Sequence, residues 1–189
     1  HEISHIINRD IRYMTIATVM VAAVAIISQI FMRSMFYGAG RRSSSNNSKG
    51  GAAQIIMLVV AIAFAILAPI LIRLLYFALS RKREYLADAS GALLSRYPEG
   101  LASALEKISN STQDMNNVNE AMAPMYIANP LKKKGQRMKN LTSTHPPLDQ
   151  RIRILRSMGG EFDLTSYQQA YKQVTKKNSS FIPSKGFGK

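Results

Sequence analysis

The sequence predicts a mainly α-helical protein with a transmembrane helical hairpin inserted into it, and three observations predict this. Two long runs without a charge lie between Tyr13 and Ile72; a Gly/Ser/Asn-rich stretch separates them; and the polar remainder shows apolar residues at helical spacing. A near-zero mean hydropathy therefore averages a membrane part with a polar part, rather than describing one globular core.

Residues 1–12 carry a short polar segment whose i, i+4 spacing fits a helix. The first run, YMTIATVMVAAVAIISQIFM from Tyr13 to Met32, lies within a helix expected over 13–37. Its 20 residues would rise about 30 Å at about 1.5 Å each, the thickness of a bilayer core. Apolar residues occur all round it, whereas a soluble amphipathic helix would keep a polar face. Residues 38–51, GAGRRSSSNNSKGG, hold turn formers and no large apolar side chain, and are expected as a loop. The second run, AAQIIMLVVAIAFAILAPILI from Ala52 to Ile72, opens a helix expected over 52–80, with Arg73 able to snorkel toward Arg81, Lys82 and Arg83.

Residues 81–160 read as further helices. REYLADASGALLSR places Tyr85, Ala89, Ala92 and Leu93 on one face, PEGLASALEKI has Pro98 in a first turn, and STHPPLDQRIRILRSMGG offers Ser143 or Thr144 as a cap and Gly159-Gly160 as a stop. Between them AMAPMYIANP reads as an ordered loop. Residues 161–189 are expected as a basic tail, poorly ordered from Lys172 onward. There is no internal repeat.

Lys and Arg number 25 against 11 Asp and Glu, a formal charge of +14 at pH 7. Such a balance suits nucleic acid or anionic lipid, and the hydrophobic runs favour lipid; a nucleic-acid reader would need a basic face with stacking aromatics, which is not evident. The Lys132, Lys133, Lys134, Arg137, Lys139 cluster is a solvated or lipid-facing loop on this reading. Around the hairpin, Arg9, Arg12, Arg73, Arg81, Lys82 and Arg83 outnumber Arg33, Arg41, Arg42 and Lys49 on the loop side, a small bias toward a cytoplasmic location for both chain ends. No cysteine is present, so a metal site must use His and carboxylate.

The first five residues spell HEISH. On a helix His1 and His5 face one way, a turn apart, and both imidazoles can reach one zinc ion, with Glu2 beside its open side. A charged helix end carries the same letters, so a third ligand is required. EYLAD, Glu84 to Asp88, follows the hairpin and is brought back toward HEISH by the U-turn. Glu84 can then bind the ion while Asp88 accepts the N–H of a ligand imidazole, His1. A solvated acidic helix face accounts for EYLAD equally well. His145, in STHPP, is either a capped surface histidine or a donor to an oxyanion, with Arg151 as a second electrostatic stabiliser or a clamp on substrate.

In this order HEISH, the hydrophobic hairpin, SRKREYLADASGA, AMAPMYIANP and STHPPLDQRI resemble the HtpX-type membrane metalloproteases, bacterial or archaeal relatives of the CAAX prenyl protease, from His1 to about Met158. The resemblance implies a gluzincin-type zinc metalloendopeptidase domain with an inserted transmembrane hairpin, in the inner or plasma membrane with its catalytic side cytoplasmic. It also implies a stress-response and quality-control role, with unfolded or misfolded membrane proteins as substrates and the lipid bilayer as surroundings. It assigns zinc to His1, His5 and Glu84, the catalytic base to Glu2, outer support to Asp88, and positions near the active site to His145 and Arg151.

Family members carry two further membrane helices and an upstream stretch lining the substrate cleft. None of these lies in this sequence, which is expected to be a chain cut at the HExxH motif. The rivals are a catalytically silent, membrane-anchored zinc-binding or interaction module, and copper chelation by the His1 amine and imidazole with His5.

Overall fold

The computed structural model describes residues 1–38, 51–111, 143–178 and 180. The expected loop over 38–51 falls, apart from its two end residues, outside the described residues, as do AMAPMYIANP, the 132–139 basic cluster and the last residues of the tail. Six helices follow in order: α1 Glu2–Ile7, α2 Asp10–Gly38, α3 Gly51–Ser95, α4 Pro98–Asn110, α5 Leu148–Arg156 and α6 Leu164–Thr175. The chain divides into two compact units, one formed by His1–Arg12 with Phe77–Lys189 and the other by Tyr13–Tyr76.

The Tyr13–Tyr76 unit consists of most of α2 and the first part of α3. Both helices are long and apolar enough to cross a membrane. Ile16, Val19, Met20, Ile26, Ile27 and Ile30 of α2 are exposed, as are Ile56, Val59, Val60, Phe64, Leu67 and Leu71 of α3. Side chains of this kind exposed around a helix are at home in lipid, not in water. Ala25, Ser28, Gln29, Met32 and Arg33 of α2 share one open groove with Ala65, Pro69 and Arg73 of α3.

The other unit has its own core. Tyr85, Ala89 and Ala92 of α3 pack with Ala102 and Leu105 of α4, Ile154 and Leu155 of α5, Met158, and Tyr167, Ala170 and Tyr171 of α6. The small residues Ala89 and Ala92 let neighbouring helices approach α3, while the Tyr85 and Tyr171 rings meet edge to face with centroids 4.9 Å apart. Arg156 of α5 joins Glu99 and Glu106 of α4 at 3.2 and 2.8 Å on the exposed side, an interaction that adds little to stability in water.

Four features differ from the sequence expectation. The helix expected over residues 1–12 is broken, α1 ending at Ile7 and α2 beginning at Asp10. The EYLAD segment does not open a helix of its own: α3 runs unbroken for 45 residues, through Ser80 and the Arg81-Lys82-Arg83 cluster. Neither Ser143 nor Thr144 caps α5, because the two prolines hold the chain extended up to Pro147 (φ −58°, ψ 131°). The Ser143 hydroxyl donates to the His145 carbonyl and the Thr144 hydroxyl meets His145 Nδ1. Residues 161–189, expected as a tail, contain α6, which is capped by the Asp163 carboxylate accepting from Ser166 N at 2.7 Å and buries Tyr167, Ala170 and Tyr171. Gly159 and Gly160, both at positive φ, do end the α5 region.

Leu105 is fully buried at the centre of this core. Leu105→Ala is expected to cost about 2–5 kcal/mol, seen as a lower denaturation midpoint of the chain in detergent, whereas Leu75→Ala, on an exposed face of α3, is expected to leave that midpoint in place.

Candidate metal centre

α1 is six residues long and lies against α3 through polar contacts. Ser4 is fully buried, and the buried Asn8 amide donates to Ser90 Oγ at 3.2 Å. With Ser4 and Asn8 turned inward, His1 and His5 fall together on the neighbouring side, one turn apart, with ring centroids separated by 4.7 Å and planes at 89°. Glu2, the next residue in the first turn, is exposed.

On α3 the same one-turn spacing aligns Glu84 with Asp88. Asp88 is fully buried, and its Oδ1 lies 2.9 Å from His1 Nδ1. His1 Nδ1–H therefore donates to Asp88, leaving Nε2 with its lone pair toward Glu84 and His5. His5 is held in the same sense by a residue that sequence reasoning missed. Asp10 Oδ2 lies 2.6 Å from His5 Nδ1, so the His5 Nε2 lone pair also turns inward.

Three donors converge as a result. His1 Nε2 and His5 Nε2 are 3.2 Å apart, His1 Nε2 is 3.6 Å from Glu84 Oε2, and His5 Nε2 is 3.7 Å from Glu84 Oε1. A tetrahedral ion with bonds of about 2.0–2.1 Å sets its ligand atoms about 3.3 Å apart. The observed separations bracket that edge, so these residues fit a zinc ion. Two imidazole lone pairs facing each other need a proton or a cation between them, and Glu84 Oε2 is a buried oxygen without a hydrogen bond among the described residues. Among those residues His1, His5 and Glu84 form a group able to hold a metal.

Arg151 arrives from α5 and is fully buried. Its Nε and Nη2 donate to the two oxygens of Asp88 at 2.7 Å each, a bidentate pair, and its Nη1 stands 3.3 Å from Glu84 Oε2. The sequence suggested a clamp on substrate or an oxyanion stabiliser. The structure places the guanidinium on Asp88 and beside Glu84. His145 is buried too: its Nδ1 meets the Thr144 hydroxyl at 2.9 Å, and its Nε2 lies 3.8 Å from Glu84 Oε1. It is thus not a surface residue.

These neighbours set the charges. Burial favours the neutral acid form of Asp88, but the Arg151 charge and the bonds from His1 and Arg151 outweigh it and hold Asp88 down to about 2. Burial likewise opposes charge on His1, yet Asp88 and Glu84 raise it to about 9. Glu84 is lowered against its own burial by His1, Arg151 and His145, while burial pushes His5 down.

Residues 1–159 match peptidase family M48, and the chain belongs to that family. It is 51% identical over 164 residues to a protein of Dictyoglomus thermophilum described as "Protease HtpX homolog", covering 87% of this chain and 50% of that protein. Proteins with the same description are 49% identical over 162 residues in Listeria monocytogenes serotype 4a and 44% identical over 158 residues in Caldanaerobacter subterraneus subsp. tengcongensis; each alignment covers 84% of this chain, and 53% and 51% of the relative. The chain thus spans about half the length of the curated relatives it matches. No solved structure matches it.

Removing one partner of a buried ion pair strands the other charge, at a cost of about 3–5 kcal/mol. Arg151→Met should therefore destabilise the fold by that order, read as a lower thermal midpoint, and Arg151→Met with Asp88→Leu should recover most of the loss. A midpoint unchanged by Arg151→Met would mean that the pair does not form.

Proposed function

We propose that the chain is the catalytic part of a membrane-embedded zinc endopeptidase, in which His1, His5 and Glu84 hold the ion and Glu2 is the general base. The observation that carries this reading is the spacing of the three donor atoms, each His Nε2 freed for the ion by a carboxylate on its Nδ1. Membership of a peptidase family supports hydrolysis of peptide bonds as the reaction.

A zinc ion held by His1, His5 and Glu84 would supply a water with its pKa lowered to about 7 and would polarise the peptide carbonyl. Glu2, exposed in the first turn of α1 next to the donors, takes the proton from the attacking water on its carboxylate and delivers it to the leaving amine. Asp88 keeps the His1 imidazole in the tautomer that presents Nε2. His145, with its Nε2 beside Glu84, is the donor for the negative charge that develops on the carbonyl oxygen. Every part of this scheme stays non-covalent between enzyme and substrate.

Unfolded or misfolded membrane proteins are the substrates on this reading, and membrane-protein quality control is the role. Two helices able to cross a bilayer in the same chain support it. The excess of Arg and Lys beside the chain ends over the 38–51 side supports a cytoplasmic catalytic face.

The test uses the protein in proteoliposomes with an unfolded membrane-protein substrate. Cleavage should stop on zinc chelation and return when zinc is restored. Glu2→Gln should keep about one zinc yet lower turnover by about 10²–10⁴-fold, the usual contribution of a general base, and Glu84→Ala should lose the ion. Undiminished turnover by Glu2→Gln would remove Glu2 from the mechanism. Zinc held firmly with no cleavage of any substrate would favour a silent zinc-binding module.

A further inference from the structure

The link between α1 and α2 breaks the helix at Asn8 and Arg9, and Arg9 takes a left-handed conformation with φ 53°. For a residue with a side chain that conformation is strained, and it persists where surrounding contacts demand it. Here the contacts are visible. Arg83 of α3 donates from Nη2 to the Asn8 carbonyl at 2.6 Å, and the same nitrogen is paired with Asp10 Oδ1. Asp10 Oδ2 takes the proton of His5 Nδ1 at 2.6 Å. In an unbroken helix a residue five positions after His5 would point about 140° away from it at about 100° per residue. The turn at Arg9 resets that phase and swings the first residue of α2 back onto the ring.

We propose that Asp10 is a positioning residue of the metal centre: it fixes the His5 ring with Nε2 toward the ion and, through Arg83, ties that ring to the start of α2 and to α3. This rests on the zinc reading of His1, His5 and Glu84. The arrangement gives each histidine its own carboxylate and each carboxylate its own arginine, Asp88 with Arg151 behind His1 and Asp10 with Arg83 behind His5. A carboxylate on Nδ1 makes the opposite nitrogen more basic and removes the freedom of the ring to turn, and loss of such a partner costs about 10–100-fold in metal affinity.

The experiment is a zinc titration of the chain in detergent against a chromophoric chelator. The unaltered protein should bind about one zinc; if it binds none, the zinc reading falls and this inference with it. Asp10→Ala should bind zinc about 10–100-fold more weakly with helical circular dichroism unchanged. Asp10→Asn, whose amide oxygen still accepts from His5 but brings no charge, should show part of that loss. Ser90→Ala, which removes the Asn8 contact between the same two helices without touching either ring, should bind zinc normally. Full zinc affinity in Asp10→Ala overturns the proposal, as does an equal loss in Ser90→Ala, which would reduce the effect to general packing of α1. Should alanine at this position abolish the helical signal, the asparagine variant decides alone, and unchanged affinity there overturns the proposal.

Discussion

The buried pair between Asp88 and Arg151 is the interaction on which the rest of the site depends. Neither side chain is exposed at all, and each needs the other to stay charged away from water. The pair joins α3 to α5, and the remaining capacity of Asp88 fixes His1, so three segments distant in sequence meet at one carboxylate. Such a pair is a poor device for stability, since a well-packed apolar substitute of the same volume does as well or better. What an apolar substitute cannot do is hold an imidazole in one tautomer and one orientation. The cost of desolvating two charges is therefore best understood as spent on geometry.

From that constraint the donor set follows. Asp88 presents the His1 Nε2, the turn of α3 that carries Asp88 also carries Glu84 on the same face, and α1 supplies His5 one turn beyond His1. Arg151 lies close to Glu84 as well, which keeps that carboxylate charged despite its burial. The rigidity comes from α3 being a single helix through Arg83, Glu84 and Asp88, with its Tyr85, Ala89 and Ala92 face clamped by α4, α5 and α6.

Much of this was legible in the sequence because it is local. HEISH and EYLAD each obey helical periodicity, so the facing of His1 with His5 and of Glu84 with Asp88 needs no tertiary knowledge. The two apolar runs announce themselves by length alone. What escaped notice depends on interruptions or on burial. Asp10 escaped because a left-handed Arg9 breaks the phase that spacing arguments assume. Arg151 looked like a group for substrate because arginines are seldom wholly buried, and only the tertiary pairing with Asp88 shows where its charge is spent. α6 was hidden by its composition: its inner face is Tyr167, Ala170, Tyr171 and Val174 among Gln, Lys, Ser and Thr, although the i, i+3, i+4, i+7 spacing and the Asp163 cap were there to be read.

The most direct test is X-ray absorption at the zinc edge of the purified, zinc-loaded protein. The account predicts four-coordinate zinc with two imidazole nitrogens and oxygen ligands at about 2.0–2.2 Å, and the loss of that spectrum in the Glu84→Ala variant. A first shell with a single imidazole, or an unchanged spectrum when Glu84 is removed, would contradict it.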